Sequence, residues 1–125
     1  MENNPIQWGN PASRPAYGHS QSRHSTRTRP QKLIDRARGI SEPQGQFYDD
    51  MIIVEAERMT REQPTFGQGD NLHLAEFNKP IGRVYHPDGS VTENVTKVLV
   101  VKRPDSTVKT SYPITDEYAQ NLLNQ

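Results

Sequence analysis

Two histidines, His19 and His24, fall in a basic stretch with Arg23, Arg27 and Arg29, and far downstream Lys109, Thr110, Ser111 and Tyr112 follow one another. These residue types match the needs of RNA cleavage without a metal. The ribose 2′-hydroxyl must lose a proton, the leaving 5′-oxygen must gain one, and the negative charge of the phosphorane must be met. Imidazole suits both proton transfers because it titrates near neutrality. Lysine, arginine and hydroxyl groups suit the charge. His19 and His24 are therefore the candidate acid–base pair, with the roles of base and acid left open. Arg23, Arg27, Arg83 and Lys109 are candidate substrate-binding groups, with Thr110 and Tyr112 beside them on the strand. His73 and His86 are expected to be structural. Strand alternation sends Lys109 and Ser111 to one face and Thr110 and Tyr112 to the other. Lys109 and Thr110 can touch one phosphate only if a bulge, or the strand end at Pro113, re-aims one of them. Thr110 and Tyr112 are preferred for that reason.

Other chemistries lack their residues. The chain has no cysteine, which removes disulfides, thiolate nucleophiles and Cys-based metal sites. The sequence contains no HExxH, no DxDxDG calcium loop, no GxxxxGK[ST], no GxGxxG and no GxSxG, so metal and cofactor sites are not expected. No run of about 18 apolar residues is present, so no membrane segment is expected, and the first residues lack the apolar core of a secretion signal.

The elements that position these groups are legible in outline. Only 31% of the residues are hydrophobic, and ten prolines and eight glycines interrupt the chain. Such a chain contains much loop. Residues 1–16 read as a flexible leader and residues 17–125 as a single domain. Net charge is zero but uneven: residues 1–40 carry seven Lys/Arg against Glu2 and Asp35, and residues 41–77 carry eight acids against Arg58 and Arg61. The basic arm is a phosphate-facing surface or a solvated tail.

A helix is expected over 31–38, stopped by Gly39, and a second over 44–60, where Tyr48, Met51, Ile52, Ala56 and Met59 recur at helical spacing. Residues 61–79 read as a linker. Strands are expected near 82–86, 91–93, 96–102 and 107–112, with turns at Pro87-Asp88-Gly89 and Pro104-Asp105-Ser106. The continuous Val98–Val101 run marks a central strand covered on both faces. A last helix over 116–123 starts at Thr115 or Asp116. This order predicts an α+β domain, with N-terminal helices packed on a small antiparallel sheet and a short C-terminal helix.

In order along the chain, GHSQSRHS at 18–25, a basic segment ending at Gly39, Gly45-Gln46-Phe47 with Asp49, GRVYHPDGSV at 82–91 and VKTSYPI at 108–114 form a pattern. It resembles the C-terminal toxin domains of bacterial polymorphic and contact-dependent inhibition toxins, over roughly residues 17–114. Met1-Glu2-Asn3-Asn4 is similar to the VENN tetrapeptide that precedes many such modules. The resemblance implies a small α+β ribonuclease of the broad group that includes barnase, EndoU, the colicin tRNases and RelE. Such an enzyme is metal-independent and cofactor-free, often directed at tRNA, and leaves a 2′,3′-cyclic phosphate. Carried over motif by motif, it gives His19 and His24 the acid–base roles, Arg83 or Lys109 the phosphate, and Thr110 and Tyr112 the orientation of substrate. Ser111 departs from the pattern, which more often has Ala there. The resemblance further implies a cognate acidic immunity protein, and secretion or delivery into the cytoplasm of a target bacterium.

Two other readings compete with this one. The first is a nucleic-acid or protein interaction module without chemistry. The second is a structural or phage-type accessory protein whose basic and acidic blocks pair in an oligomer.

Overall fold

The computed structural model describes residues 24–61, 71–103 and 107–123. The proposed leader, His19, Arg23 and the Pro104–Ser106 turn lie outside the described residues. Along the chain run α1 (Pro30–Ile40), β1 (Gln44–Phe47), α2 (Met51–Thr60), β2 (Leu72–Glu76), β3 (Gly82–Tyr85), β4 (Val91–Val95), β5 (Lys97–Lys102), β6 (Val108–Ile114) and α3 (Asp116–Leu123). The class is α+β. The strands form two three-stranded antiparallel sheets, ordered β1-β3-β4 and β2-β5-β6.

Helix α1 opens on Pro30, whose fixed φ suits the first helical turn. It buries Leu33 and Ala37. It runs past Gly39, the expected stop, and ends instead at Ser41, which takes the left-handed conformation at φ 58° and ψ 38°. The Glu42 amide then donates to the Ala37 carbonyl at 3.1 Å, closing the helix end. A left-handed non-glycine residue costs about 1 kcal/mol, and here it sets the direction in which Glu42 leaves the helix.

The helix expected over 44–60 is two elements. Gln44–Phe47 is a strand buried along its whole length, and only Met51–Thr60 is helical. The Asp49 carboxylate accepts the Met51 amide at 2.9 Å, which starts the helix after the strand has ended. Helical spacing through Tyr48 hid this break, because four buried residues satisfy either period. The segment expected to be a linker also contains a strand, β2, which pairs with β5 from Leu72↔Val101 to Glu76↔Lys97.

Strand β5 is central in its sheet, as its apolar run predicts. Val98 and Val100 enter one core with Phe47, Ile53, Ala56 and Val84. Leu99 enters the other with Ile114 and Ala119, against which Tyr112, Tyr118 and Leu122 pack. The Thr115 hydroxyl caps α3 by accepting the Tyr118 amide at 3.0 Å.

The sheets meet where β1 runs against β6. A Cβ at Gly45 would collide with the backbone oxygen of Pro113. Glycine is therefore required at Gly45 by the approach of two backbones.

Candidate active site

The junction of β1 and β6 opens into a cleft of about 360 Å³, bordered by His24, Arg36, Glu42, Lys109, Thr110 and Tyr112, with Gln44 and Tyr118 adjoining. His24 and Tyr112 come from opposite ends of the described chain. Their ring centroids are 5.2 Å apart, with planes inclined by 37°.

His24 is 5% exposed, and its Nδ1 lies 2.7 Å from the Gly45 carbonyl oxygen. A carbonyl can only accept, so Nδ1 carries the proton and Nε2 is the lone-pair nitrogen of the neutral ring. Gly45 thus lets the two sheets close and fixes the orientation of the imidazole.

The segment carrying His24 is clamped by two further side chains. The Asp50 carboxylate accepts the Ser25 hydroxyl at 2.9 Å and the Thr26 amide at 2.8 Å. Gln46, 2% exposed, donates through Nε2 to the carbonyls of Ser25 at 3.2 Å and Thr28 at 2.7 Å. Its Oε1 accepts Arg83 Nη1 at 3.0 Å and the Tyr85 hydroxyl at 3.2 Å. All four hydrogen-bonding positions of a buried amide are filled, which makes Gln46 a rigid hub.

Strand β6 supplies the opposite wall. Val101 pairs with Thr110 but Lys102 pairs with Val108, so Lys109 is the extra residue of a β-bulge. A bulge re-aims the side chain of its added residue. Simple alternation would separate Lys109 from Thr110; the bulge brings Lys109, Thr110 and Tyr112 to one cleft.

Among the described residues, Lys109 makes no hydrogen bond or ion pair. Arg36 makes no ion pair there; its Nε donates to Gln44 Oε1 at 3.1 Å. The Thr110 hydroxyl oxygen is buried without a hydrogen-bond partner among the described residues. Such a group is destabilising unless a ligand or water completes it.

Burial pushes the Tyr112 hydroxyl well above the usual tyrosine range, and its hydrogen bond to Tyr118 and the negative charge of Glu42 push it further. Burial also raises Tyr118, with Glu42 adding to the rise and the bond from Tyr112 opposing it. Both phenols stay protonated through the neutral range and can donate.

The remaining expected site residues lie elsewhere. Arg83 does not border the cleft: its Nε is 2.9 Å from Glu93 Oε1, and its guanidinium carbon lies 4.9 Å from the centre of the Tyr48 ring. The hydrogen bond to Glu93 is the main reason the Arg83 guanidinium holds its proton more tightly than usual. Arg83 serves the Gln46 hub. Arg27 is exposed and outside the cleft. His86 lies 2.8 Å from the Thr92 hydroxyl beside the turn at Gly89, and His73 is buried in β2.

Arg36, Glu42 and Tyr118 were missed as site residues. Arg36 reads in sequence as an outward residue of an amphipathic helix, Glu42 as part of a connection, and Tyr118 as core. Only the tertiary approach of α1, β6 and α3 joins them.

Among the described residues, no three His, Cys, Asp or Glu side chains gather as a metal site. No helix among them is long and apolar enough to cross a membrane. No family model matches the chain, and no curated protein or solved structure matches it.

Proposed function

We propose that the chain is a metal-independent endoribonuclease toxin domain, directed at tRNA, that cleaves by attack of the ribose 2′-hydroxyl and leaves a 2′,3′-cyclic phosphate. The observation that carries this reading is the unmet bonding capacity in one cleft. Beside an oriented histidine, two cations border it that make no ion pair and a buried hydroxyl that has no partner among the described residues. A phosphodiester satisfies the cations and the hydroxyl. Lys109, the Arg36 guanidinium and Thr110 Oγ1 hold the non-bridging oxygens and meet the charge of the phosphorane. His24 transfers a proton. The ordered motifs of the sequence support the toxin context. In that context the domain acts in the cytoplasm of a target bacterium and is held inactive by an acidic immunity protein seated over Arg36 and Lys109.

The experiment is incubation of the full chain with total tRNA in EDTA, followed by gel analysis and end-group mapping. Expected are discrete fragments bearing 2′,3′-cyclic phosphate and 5′-hydroxyl ends, lost in His24→Ala with an unchanged circular dichroism spectrum. Intact RNA retained by the protein in a salt-sensitive manner would replace this reading with a non-catalytic binding module.

A further inference from the structure

We infer that Glu42 is the second proton-transfer group of the cleft, taking the proton from the ribose 2′-hydroxyl while the His24 imidazolium protonates the leaving 5′-oxygen. The assignment rests on the ribonuclease reading above and extends it to a residue outside the recognised motifs.

Cleavage by 2′-hydroxyl attack needs one proton removed and one supplied. Carboxylates and imidazoles are the side chains that exchange protons readily on either side of neutrality; lysine and arginine hold theirs too tightly. The groups bordering the cleft with Glu42 are Arg36 on the preceding helix α1, Lys109, Thr110 and Tyr112 on β6, Tyr118 on α3, and His24. The two phenols keep their protons, since burial raises both. Among the described residues bordering the cleft, this leaves His24 and Glu42 as the exchanging pair.

The placement of Glu42 has three supports. Its carboxylate makes no hydrogen bond or ion pair among the described residues, although two cations border the same cleft. It is exposed at the mouth of the cleft, and its charge acts on both Tyr112 and Tyr118 behind it. It is also delivered there by the left-handed Ser41, a strained turn where Gly39 two residues earlier would have ended the helix without strain. An acid that only balanced the surface would repel the phosphate that the cations attract. Acting as a base, it resolves that conflict, because it is neutralised as the phosphorane forms.

The step balances. The 2′-oxygen bonds to phosphorus as its proton passes to the Glu42 carboxylate. The bond from phosphorus to the 5′-oxygen breaks, with the electron pair on that oxygen, which takes the His24 proton. The products are a 2′,3′-cyclic phosphate, a 5′-hydroxyl, a protonated Glu42 and a neutral His24, and exchange with water restores both groups.

The test compares the wild-type full chain with Glu42→Gln, Glu42→Asp and His19→Ala, following tRNA cleavage against pH in EDTA and binding of 2′-O-methyl RNA, which cannot react. Glu42→Gln is expected to cut about 10²–10³-fold more slowly and to lose the fall in rate toward acid pH. It should bind the 2′-O-methyl RNA at least as tightly as wild type, since a negative charge has been removed beside the phosphate. Glu42→Asp should keep the acid limb at a reduced rate. Retention of both rate and acid limb by Glu42→Gln overturns the assignment, as does their loss in His19→Ala alone. Wild-type protein that leaves tRNA intact overturns the ribonuclease reading itself, and the Glu42 role with it.

Discussion

The imidazole of His24 stands against the phenol ring of Tyr112, centroids 5.2 Å apart, across the line where β1 meets β6. One ring belongs to the segment entering the fold and the other to the last strand. Gly45 is central to bringing them together: the glycine lets two strands touch, and its carbonyl accepts a hydrogen bond from Nδ1. Replacement of Gly45 is therefore expected to disturb stability and site together. Gly45→Ala forces a Cβ into the Pro113 carbonyl, and overpacking of this kind costs about 1–3 kcal/mol. Thermal or urea denaturation should show that loss. Any folded fraction should cleave poorly, because the His24 acceptor has shifted.

Thr110 carries the opposite expectation. Among the described residues its hydroxyl oxygen is buried without a partner. Thr110→Val keeps the shape and removes the unsatisfied group, so the chain should gain about 1 kcal/mol of stability. Cleavage should nonetheless fall at least tenfold, since the phosphate loses a donor. A melting curve and an initial rate on the same preparation check both halves. A variant that is destabilised would mean that the hydroxyl is bonded in solution.

Strands β3 to β6, with β5 central, and the last helix were legible because period-two apolar patterns and the Asp88-Gly89 turn act locally. The β1 strand was not. Gln44–Phe47 is buried by neighbours that come from β3 and β6, and no local signal reports that. The site divided in the same way. His24, Thr110, Tyr112 and Lys109 were identifiable by type, and the bulge supplies the re-aiming that alternation denied to Lys109. Arg83 has the right type, but Glu93 two residues after Val91 on the paired strand takes its charge, a pairing that depends on the β3–β4 register. Arg36 and Glu42 flank a helix end whose left-handed residue is a serine, where sequence rules look for glycine.

Gln46 should behave as a positioning residue. Gln46→Leu leaves the Ser25 and Thr28 carbonyls, Arg83 and Tyr85 without their shared partner. Buried unsatisfied groups cost about 1–3 kcal/mol, so a drop of about 2 kcal/mol is expected. In the fraction that remains folded, kcat should fall while KM stays near wild type, because the cations of the cleft are untouched. Steady-state kinetics on tRNA separates the two constants.

Stability should fall at high pH. Burial raises Tyr112 and Tyr118 above the ordinary tyrosine value of 10.0, so above that pH the unfolded chain ionises these phenols before the folded chain does. The unfolded state then binds fewer protons, and stability declines as pH climbs past 10. Lys102 acts with the opposite sign: burial lowers it, so the folded state is relieved of a buried charge as pH rises toward the ordinary lysine range. Tyr112→Phe should flatten the alkaline decline, and Lys102→Met should steepen the net decline by removing the opposing contribution. Denaturation midpoints between pH 8 and 11 give both slopes.

Lys109 offers a test of the bulge itself. As the extra residue of the β5–β6 pairing it reaches the cleft without disturbing the ladder on either side, and it makes no hydrogen bond or ion pair among the described residues. Lys109→Met should therefore leave the melting temperature nearly unchanged. If the ammonium contacts a phosphate, one counterion fewer is released on binding. The slope of log affinity against log salt for single-stranded 2′-O-methyl RNA should then become shallower by about 0.7. Arg83→Met is the matched control, since its charge is held by Glu93 away from the cleft. It should lower stability through the Gln46 hub and leave the salt slope as it was. A slope that changes for Arg83 and not for Lys109 would put the RNA path over the β3–β4 face and away from the cleft at β6.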